Sequence, residues 1–186
     1  MRSLALLGLA GLVACVGPHD SADSVDSAET GDSGELVAAP DLAVLVDASG
    51  CGDVQMVLGD PGGELLLLFS YNGGLAQAAY ESEAGQAGVE LELAVEGSLE
   101  LWRGTSVTNI PCNDALNGDE EVLQSWLAVQ GSAIVEVVSD GTTEPWGEYP
   151  GTATLELSDV VLSSEGVEDV AIESLSWSAH VGWLPG

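Results

Sequence analysis

Val-Glu-Leu-Glu-Leu-Ala-Val-Glu, residues 89–96, is the stretch that decides the fold. Every second side chain in it is a large aliphatic one, and the side chains between are acidic or small. Successive side chains of a β-strand point to opposite faces of a sheet. The alternation therefore predicts a strand with one face on a core and the other in water.

The same period of two recurs along the chain. Residues 153–157 and 175–181 alternate apolar with polar side chains, whereas residues 42–46 and 65–69 are continuous apolar runs, typical of strands covered on both faces. Gly, Ser, Asn and Pro separate about ten such segments. This spacing predicts an all-β domain, an antiparallel β-sandwich, and leaves jelly-roll-like and Ig-like topologies both open.

Three local signals predict how the strands are connected. Gly97-Ser98 and Gly131-Ser132 each lie between apolar runs, and Gly at the first turn position suits a type II′ hairpin. Residues 119–124 place acids before Val122 and Leu123, which indicates the one helical turn that we expect.

The charge of the chain excludes several classes of function. Its 186 residues include 2 Lys+Arg and 31 Asp+Glu, for a formal net charge of -29. Nucleic-acid binding requires clustered Lys and Arg side chains to neutralise phosphates, and a polybasic membrane patch also requires clustered Lys and Arg. The sequence therefore excludes both classes of function. Hydrophobic residues make up 46% of the chain, which is enough for a packed core despite the acidity.

The N-terminus has the organisation of a secretory signal peptide. Arg2 supplies one positive charge, and residues 4–13 are apolar and uncharged. This run is much shorter than the roughly 20 residues that a membrane-spanning helix needs. Residues 1–14 are therefore predicted to be a signal peptide.

Leu12-Val13-Ala14-Cys15 ends the apolar run. These four residues resemble the lipobox of bacterial lipoproteins, and the resemblance covers only residues 1–15. It implies cleavage between Ala14 and Cys15, with a diacylglyceryl group and fatty acids such as palmitate attached to Cys15. It also implies export to the bacterial cell envelope, and Val16 after the cysteine implies the outer membrane. Contact with the membrane would then be made through the acyl chains.

Residues 15–35 follow as the lipidated cysteine and an acidic linker in which Asp-Ser recurs. No aromatic or large aliphatic side chain other than valine is available to bury, so we expect a disordered tether. Residues 36–186 are predicted to form the single β-sandwich domain.

Two cysteines remain after the lipobox. Cys51 and Cys112 form an even pair in a chain predicted to be exported, where disulfides persist. Neither belongs to a Cys-x-x-Cys motif and no histidine is close in sequence, so a redox or metal pair is the weaker alternative. The prediction is a Cys51–Cys112 disulfide.

An oxygen-rich segment follows Cys112. It contains Asn113, Asp114, Asn117 and Asp119, and calcium prefers about six to eight such oxygen ligands. The spacing does not match an EF-hand, and a solvated acidic loop is the alternative. We expect no resident cofactor, with calcium at this segment as the one candidate.

Trp146 and Tyr149 lie in a segment bounded by Pro145 and Pro150. Exposed aromatic rings on such loops are how many carbohydrate-binding modules stack on sugars. The alternative is that both rings fold back over the edge of the core. These two residues are the candidate glycan contacts.

No pattern of catalytic residues is found. His180 is the only histidine after residue 35, and the chain lacks a Gly-x-Ser-x-Gly motif and a histidine pair for zinc. The sequence therefore favours a non-enzymatic binding or structural module with an envelope protein or glycan as partner. The alternatives are a glycan-binding module, with or without the assistance of calcium, and an exported carboxylate-dependent hydrolase.

Overall fold

The computed structural model describes residues 38–113, 118–145 and 148–183. It is mostly β, with 57% of the described residues in strands and 9% in helices. The strands are β1 (Asp47–Cys51), β2 (Val54–Gly59), β3 (Leu65–Tyr71), β4 (Gln86–Glu92), β5 (Ser98–Thr105), β6 (Glu121–Ser139), β7 (Gly151–Ser163) and β8 (Val170–Val181). The helices are α1 (Leu75–Glu81) and two 3-10 turns, Leu42–Val44 and Val107–Asn109. No helix of the described residues combines the length and the apolar character needed to cross a membrane.

All eight strands belong to one antiparallel sheet that curls into a half-barrel. Its order is β1-β2-β3-β5-β6-β7-β8, and β4 pairs with β6 beside this path. The predicted all-β, antiparallel class is confirmed. The predicted count of about ten strands in a two-sheet sandwich is not confirmed, because the described strands are joined by hydrogen bonds into a single sheet.

In the longest strand, β6, the alternation of buried and exposed side chains changes phase partway along its length. Trp126 and Ala128 are buried before the change, and Ala133 and Val135 are buried after it. The pairing with β7 shifts register twice between residues 128 and 132. Gly131 lies there with φ 118°, and a Cβ on it would come within 2.6 Å of the Val160 Cα. Gly131-Ser132 is therefore a bulge inside a strand, and the predicted hairpin turn is wrong.

The next two strands make the same change. In β7, Leu157 and Val160 are both buried, with Asp159 between them at φ 52°. In β8, Ile172 and Trp177 are both buried at an odd separation. In β6 the change falls between the part that pairs with β5 and the part that pairs with β4. The sheet can thus wrap around one core.

The main core lies inside the curl. Its largest fully buried side chains include Trp126, Phe69 and Met56. The indole Nε1 of Trp126 donates a hydrogen bond to the Glu168 backbone carbonyl over 3.0 Å, so its polar atom is satisfied. Burying each such apolar side chain contributes about 1.5–3 kcal/mol.

A smaller cluster covers the outer face of β2 and β3. Val57, Leu66 and Leu68 pack there against Val107 of the second 3-10 turn, with Cys112 beside them. Residues 65–69 are therefore covered on both faces, as predicted. Residues 42–46 are not, because residues 42–44 form a 3-10 turn and Val46 is 62% exposed.

Two other local predictions are wrong for tertiary reasons. Of residues 119–124, those from Glu121 onward begin β6 and pair with β5, for example Gln124 with Arg103. Gly97-Ser98 does not close a hairpin, because β4 and β5 each pair with β6 and not with each other. In both places, pairing with a distant strand overrides the local preference.

The predicted disulfide is confirmed. Cys51 at the end of β1 is bonded to Cys112, which follows the second 3-10 turn, and their Cα atoms are 5.5 Å apart. The bond closes a loop of 61 residues, for which the chain-entropy model gives about 4 kcal/mol. It also holds the covering turn near the outer face of β2 and β3.

Candidate functional site

The candidate site lies where the first and last strands of the sheet meet. Beyond the end of β1, the Gly52 N–H donates to the Trp183 carbonyl over 2.8 Å, and the Gly182 N–H donates to the Gly52 carbonyl over 2.6 Å. A Cβ on Gly182, whose φ is 78°, would overlap the Tyr149 carbonyl. The close approach of these backbones fixes one wall of the site.

Helix α1 forms another wall, and Asp53 holds it in place. The Asp53 carboxylate accepts hydrogen bonds from the backbone N–H groups of Leu75 at 3.2 Å and Ala76 at 2.9 Å, and a third from Gly74. Both carboxylate oxygens are used. Asp53 therefore satisfies the unpaired donors of the first helical turn from a position far away in sequence.

Tyr149 is positioned by the same helix. Its ring lies against Tyr80 with 5.3 Å between centroids and a tilt of 44°, a common geometry for aromatic pairs. The following residue, Pro150, accepts a hydrogen bond from the Asp140 N–H over 2.9 Å. Tyr149 is left partly exposed.

Together these elements enclose a cleft of about 350 Å³. Two partly exposed aromatic residues, Tyr149 and Trp183, lie on it. The other lining residues are Gly52, Asp53, Asn72, Gly74, Ala76, Gln77, Glu148 and Gly182. The cleft is thus mainly apolar with a few polar groups, as small-molecule sites are.

The polar groups of the cleft differ in what they can still bind. The Gln77 side-chain amide donates a hydrogen bond to the Glu81 carboxylate over 2.7 Å, so its side-chain carbonyl oxygen can still accept one from a ligand. Within the described residues, the side chains of Asn72 and Glu148 make no hydrogen bond. Asn72 can donate and accept, and an ionised Glu148 can accept. The cleft therefore offers both donors and acceptors to a ligand.

The structure brings one of the two predicted glycan contacts into this cleft. Tyr149 lines it, whereas Trp146 lies outside the described residues. The other cleft residues Asn72, Glu148 and Trp183 are not among the site residues predicted from the sequence. The alanine-rich heptapeptide of α1 after Asn72-Gly73-Gly74 was the signal for a helix here.

The candidate calcium segment is described only in part. Asn113 and Asp119 are exposed, and Asp114 and Asn117 lie outside the described residues. The described residues contain no group of three or more His, Cys, Asp or Glu side chains arranged to hold a metal ion. Calcium binding at this segment stays a prediction.

The predicted lipidation site also lies outside the described residues. This applies to Ala14 and Cys15, and to the signal peptide and linker of residues 1–35 as a whole. The anchor therefore stays an expectation from the sequence.

His180 has a partner that the sequence did not reveal. Its Nε2 lies 3.0 Å from the Asp140 carboxylate, and both side chains are exposed to solvent. A nucleophilic triad also needs a hydroxyl or thiol bonded to the histidine. Along the part of the chain that is described, no such bond reaches His180, so the pair is an exposed contact between β8 and the loop after β6.

The chain was compared with protein-family models, curated proteins and solved structures. It matches no protein-family model, no curated protein and no solved structure.

Proposed function

We propose that the chain is a lipid-anchored protein of a bacterial cell envelope, held in the outer membrane by acyl chains on Cys15. In this proposal, the acidic β domain is a non-enzymatic module that binds a ligand at the cleft between α1 and the ends of β1 and β8. The observation that carries the binding role is the cleft itself, with Tyr149 and Trp183 on its wall.

Export is supported by the N-terminal sequence and by the disulfide. The apolar run and Leu12-Val13-Ala14-Cys15 carry the resemblance to lipoproteins. The Cys51–Cys112 bond belongs to the kind that persists in oxidising compartments outside the cytosol. Two or more acyl chains give lasting attachment, whereas one alone binds marginally.

The anchor is tested by growing bacteria that express the protein with a labelled fatty acid. The wild-type chain should take up label and fractionate with membranes, and Cys15→Ser should do neither. A Cys51→Ser/Cys112→Ser double variant is the matched control, because it removes the other two cysteines and should keep the label. A Cys15→Ser chain that still takes up label would contradict the proposal.

A carboxylate-dependent hydrolase is the second candidate. Asp53 and Glu148 line the same cleft, and glycosidases use a pair of carboxyl groups. Against this role, both oxygens of Asp53 already accept hydrogen bonds from α1. An acid engaged in this way is poorly placed to donate or accept a proton in a reaction.

The hydrolase is tested by incubating the protein with neutral polysaccharides and measuring new reducing ends. We expect none. Cleavage that is abolished by Glu148→Gln and retained by Glu144→Gln, an exposed glutamate of the same loop, would replace the binding role with the enzymatic one.

A further inference from the structure

The cleft combines aromatic rings with hydrogen-bonding groups that have no partner among the described residues. We propose that it binds a neutral glycan, with sugar rings stacked on Trp183 and Tyr149 and their hydroxyl groups bonded to Asn72 and Glu148. This inference rests on the proposed binding role of the same cleft and names its ligand class.

The aromatic residues favour a ligand with a flat apolar face. Tyr149 and Trp183 are both partly exposed, whereas Trp126 and Trp177 are buried in the core. The C–H face of a pyranose ring can cover an aromatic ring while its hydroxyl groups stay at the edge. Aromatic side chains with an apolar body and a polar tip suit such half-wet contacts.

The polar residues favour hydroxyl groups over a cation. A hydroxyl group both donates and accepts, so it can serve the Glu148 carboxylate and either end of the Asn72 amide. An ammonium group only donates, so it can pair with Glu148 but not with the Asn72 amide hydrogens.

Charge excludes the acidic glycans. The chain carries a net charge of -29, and the cleft itself contains Asp53 and Glu148 but no Lys or Arg among its lining residues. An anionic polysaccharide would meet like charge both at a distance and in contact. Neutral hexose or N-acetylhexosamine units carry no such cost.

The size and rigidity of the cleft suit a short stretch of glycan. Its volume of about 350 Å³ lies at the low end of the range of small-molecule sites. The hydrogen bonds of Gly52 with Gly182 and Trp183, and those of Asp53 with α1, hold its walls in place without a ligand. A preformed site loses less conformational freedom on binding.

The test uses the full chain in a detergent that has no sugar headgroup. Cellohexaose and chitohexaose are the neutral probes, and oligogalacturonate is the acidic one; calorimetry measures binding. We expect a neutral probe to bind and the acidic one not to bind. Trp183→Ala and Tyr149→Ala should each weaken binding by about tenfold or more, which corresponds to about 1.4 kcal/mol.

Matched controls separate the cleft from the rest of the surface. Trp102→Ala removes a partly buried indole on β5, and it should leave the affinity unchanged. Asn72→Asp, which replaces an amide donor by a charge, should weaken binding, whereas Asn109→Asp at an exposed site outside the cleft should not. Thermal melting of every variant checks that it is folded.

Three outcomes would overturn the inference. One is the absence of binding to both neutral probes, and another is binding of oligogalacturonate alone. The third is neutral binding that survives Trp183→Ala and Tyr149→Ala in folded protein, which would place the ligand elsewhere. None of these would affect fatty-acid labelling at Cys15, so the anchored-protein proposal succeeds or fails separately.

Discussion

Leu68 and Leu127 lie in the same row of the sheet, and only one of them is covered. Leu68 of β3 pairs with Glu100 of β5, which in turn pairs with Leu127 of β6, so all three side chains share the outer face. Leu68 is 6% exposed and Leu127 is 53% exposed. Two identical side chains in equivalent positions therefore have opposite environments.

The difference comes from what lies over each strand. The 3-10 turn Val107–Asn109 and the segment leading to Cys112 cover the outer face of β2 and β3. Over β6, the outward side chains of Leu127 and Val129 stay exposed, with Glu100 beside Leu127. Covering one half of an outer face takes only a short segment, provided that it is held there, and here a disulfide holds it.

The largest effect is expected from removing the disulfide. A Cys51→Ala/Cys112→Ala variant should lose about 4 kcal/mol of unfolding free energy, because the unfolded chain regains the freedom of a closed 61-residue loop. Denaturant unfolding measures the loss. Hydrogen exchange should also accelerate in β3 more than in β7, since only β3 loses its cover. Equal acceleration in both strands would contradict the role given to the covering turn.

A smaller loss is expected at the covered leucine. Leu68→Ala should lower the unfolding free energy by about 3 kcal/mol, the middle of the range for a buried leucine that leaves a cavity. The measurement is the shift in denaturant midpoint at unchanged slope. A loss under about 1 kcal/mol would mean that the outer cluster is not packed as described.

The smallest effect is expected at the uncovered leucine. Leu127→Ala makes the same chemical change in the same row, and it should alter the unfolding free energy by no more than about 0.5 kcal/mol. The pair of variants differs only in the cover, so their difference measures what the turn contributes. A Leu127→Ala loss as large as that of Leu68→Ala would show that something covers β6 in solution.

The predictions from sequence succeeded where the signal was local. Alternation along residues 153–157 and 175–181 correctly identified parts of β7 and β8, and the even cysteine pair correctly identified the disulfide. The alternation of residues 89–96 held through Leu93, after which Ala94 takes a φ of 70° and Val95 is 74% exposed. Whether a segment is a strand, and which of its side chains face the core, can be predicted locally because successive side chains of a strand point to opposite faces.

The predictions failed where segments distant in sequence determine the local conformation. Gly131-Ser132 has the composition of a turn, yet the close approach of β7 makes it a bulge within β6. In the candidate site, too, one residue could be identified from local sequence and the others could not. Tyr149 could be selected from its aromatic ring and flanking prolines, whereas its neighbours Asn72 and Trp183 come from other strand ends that sequence could not bring together.

The sequence by itself determined that this protein is built largely from β-strands, because side chains alternate across a strand by covalent geometry. It also determined the disulfide pairing, since Cys51 and Cys112 are the two cysteines that follow the predicted cleavage site. Only the tertiary structure decided that the strands form one curled sheet, that a cleft lies between α1 and the ends of β1 and β8, and that Leu68 is covered while Leu127 is not. Burial depends on which segments lie above a residue, and those segments are far away along the chain.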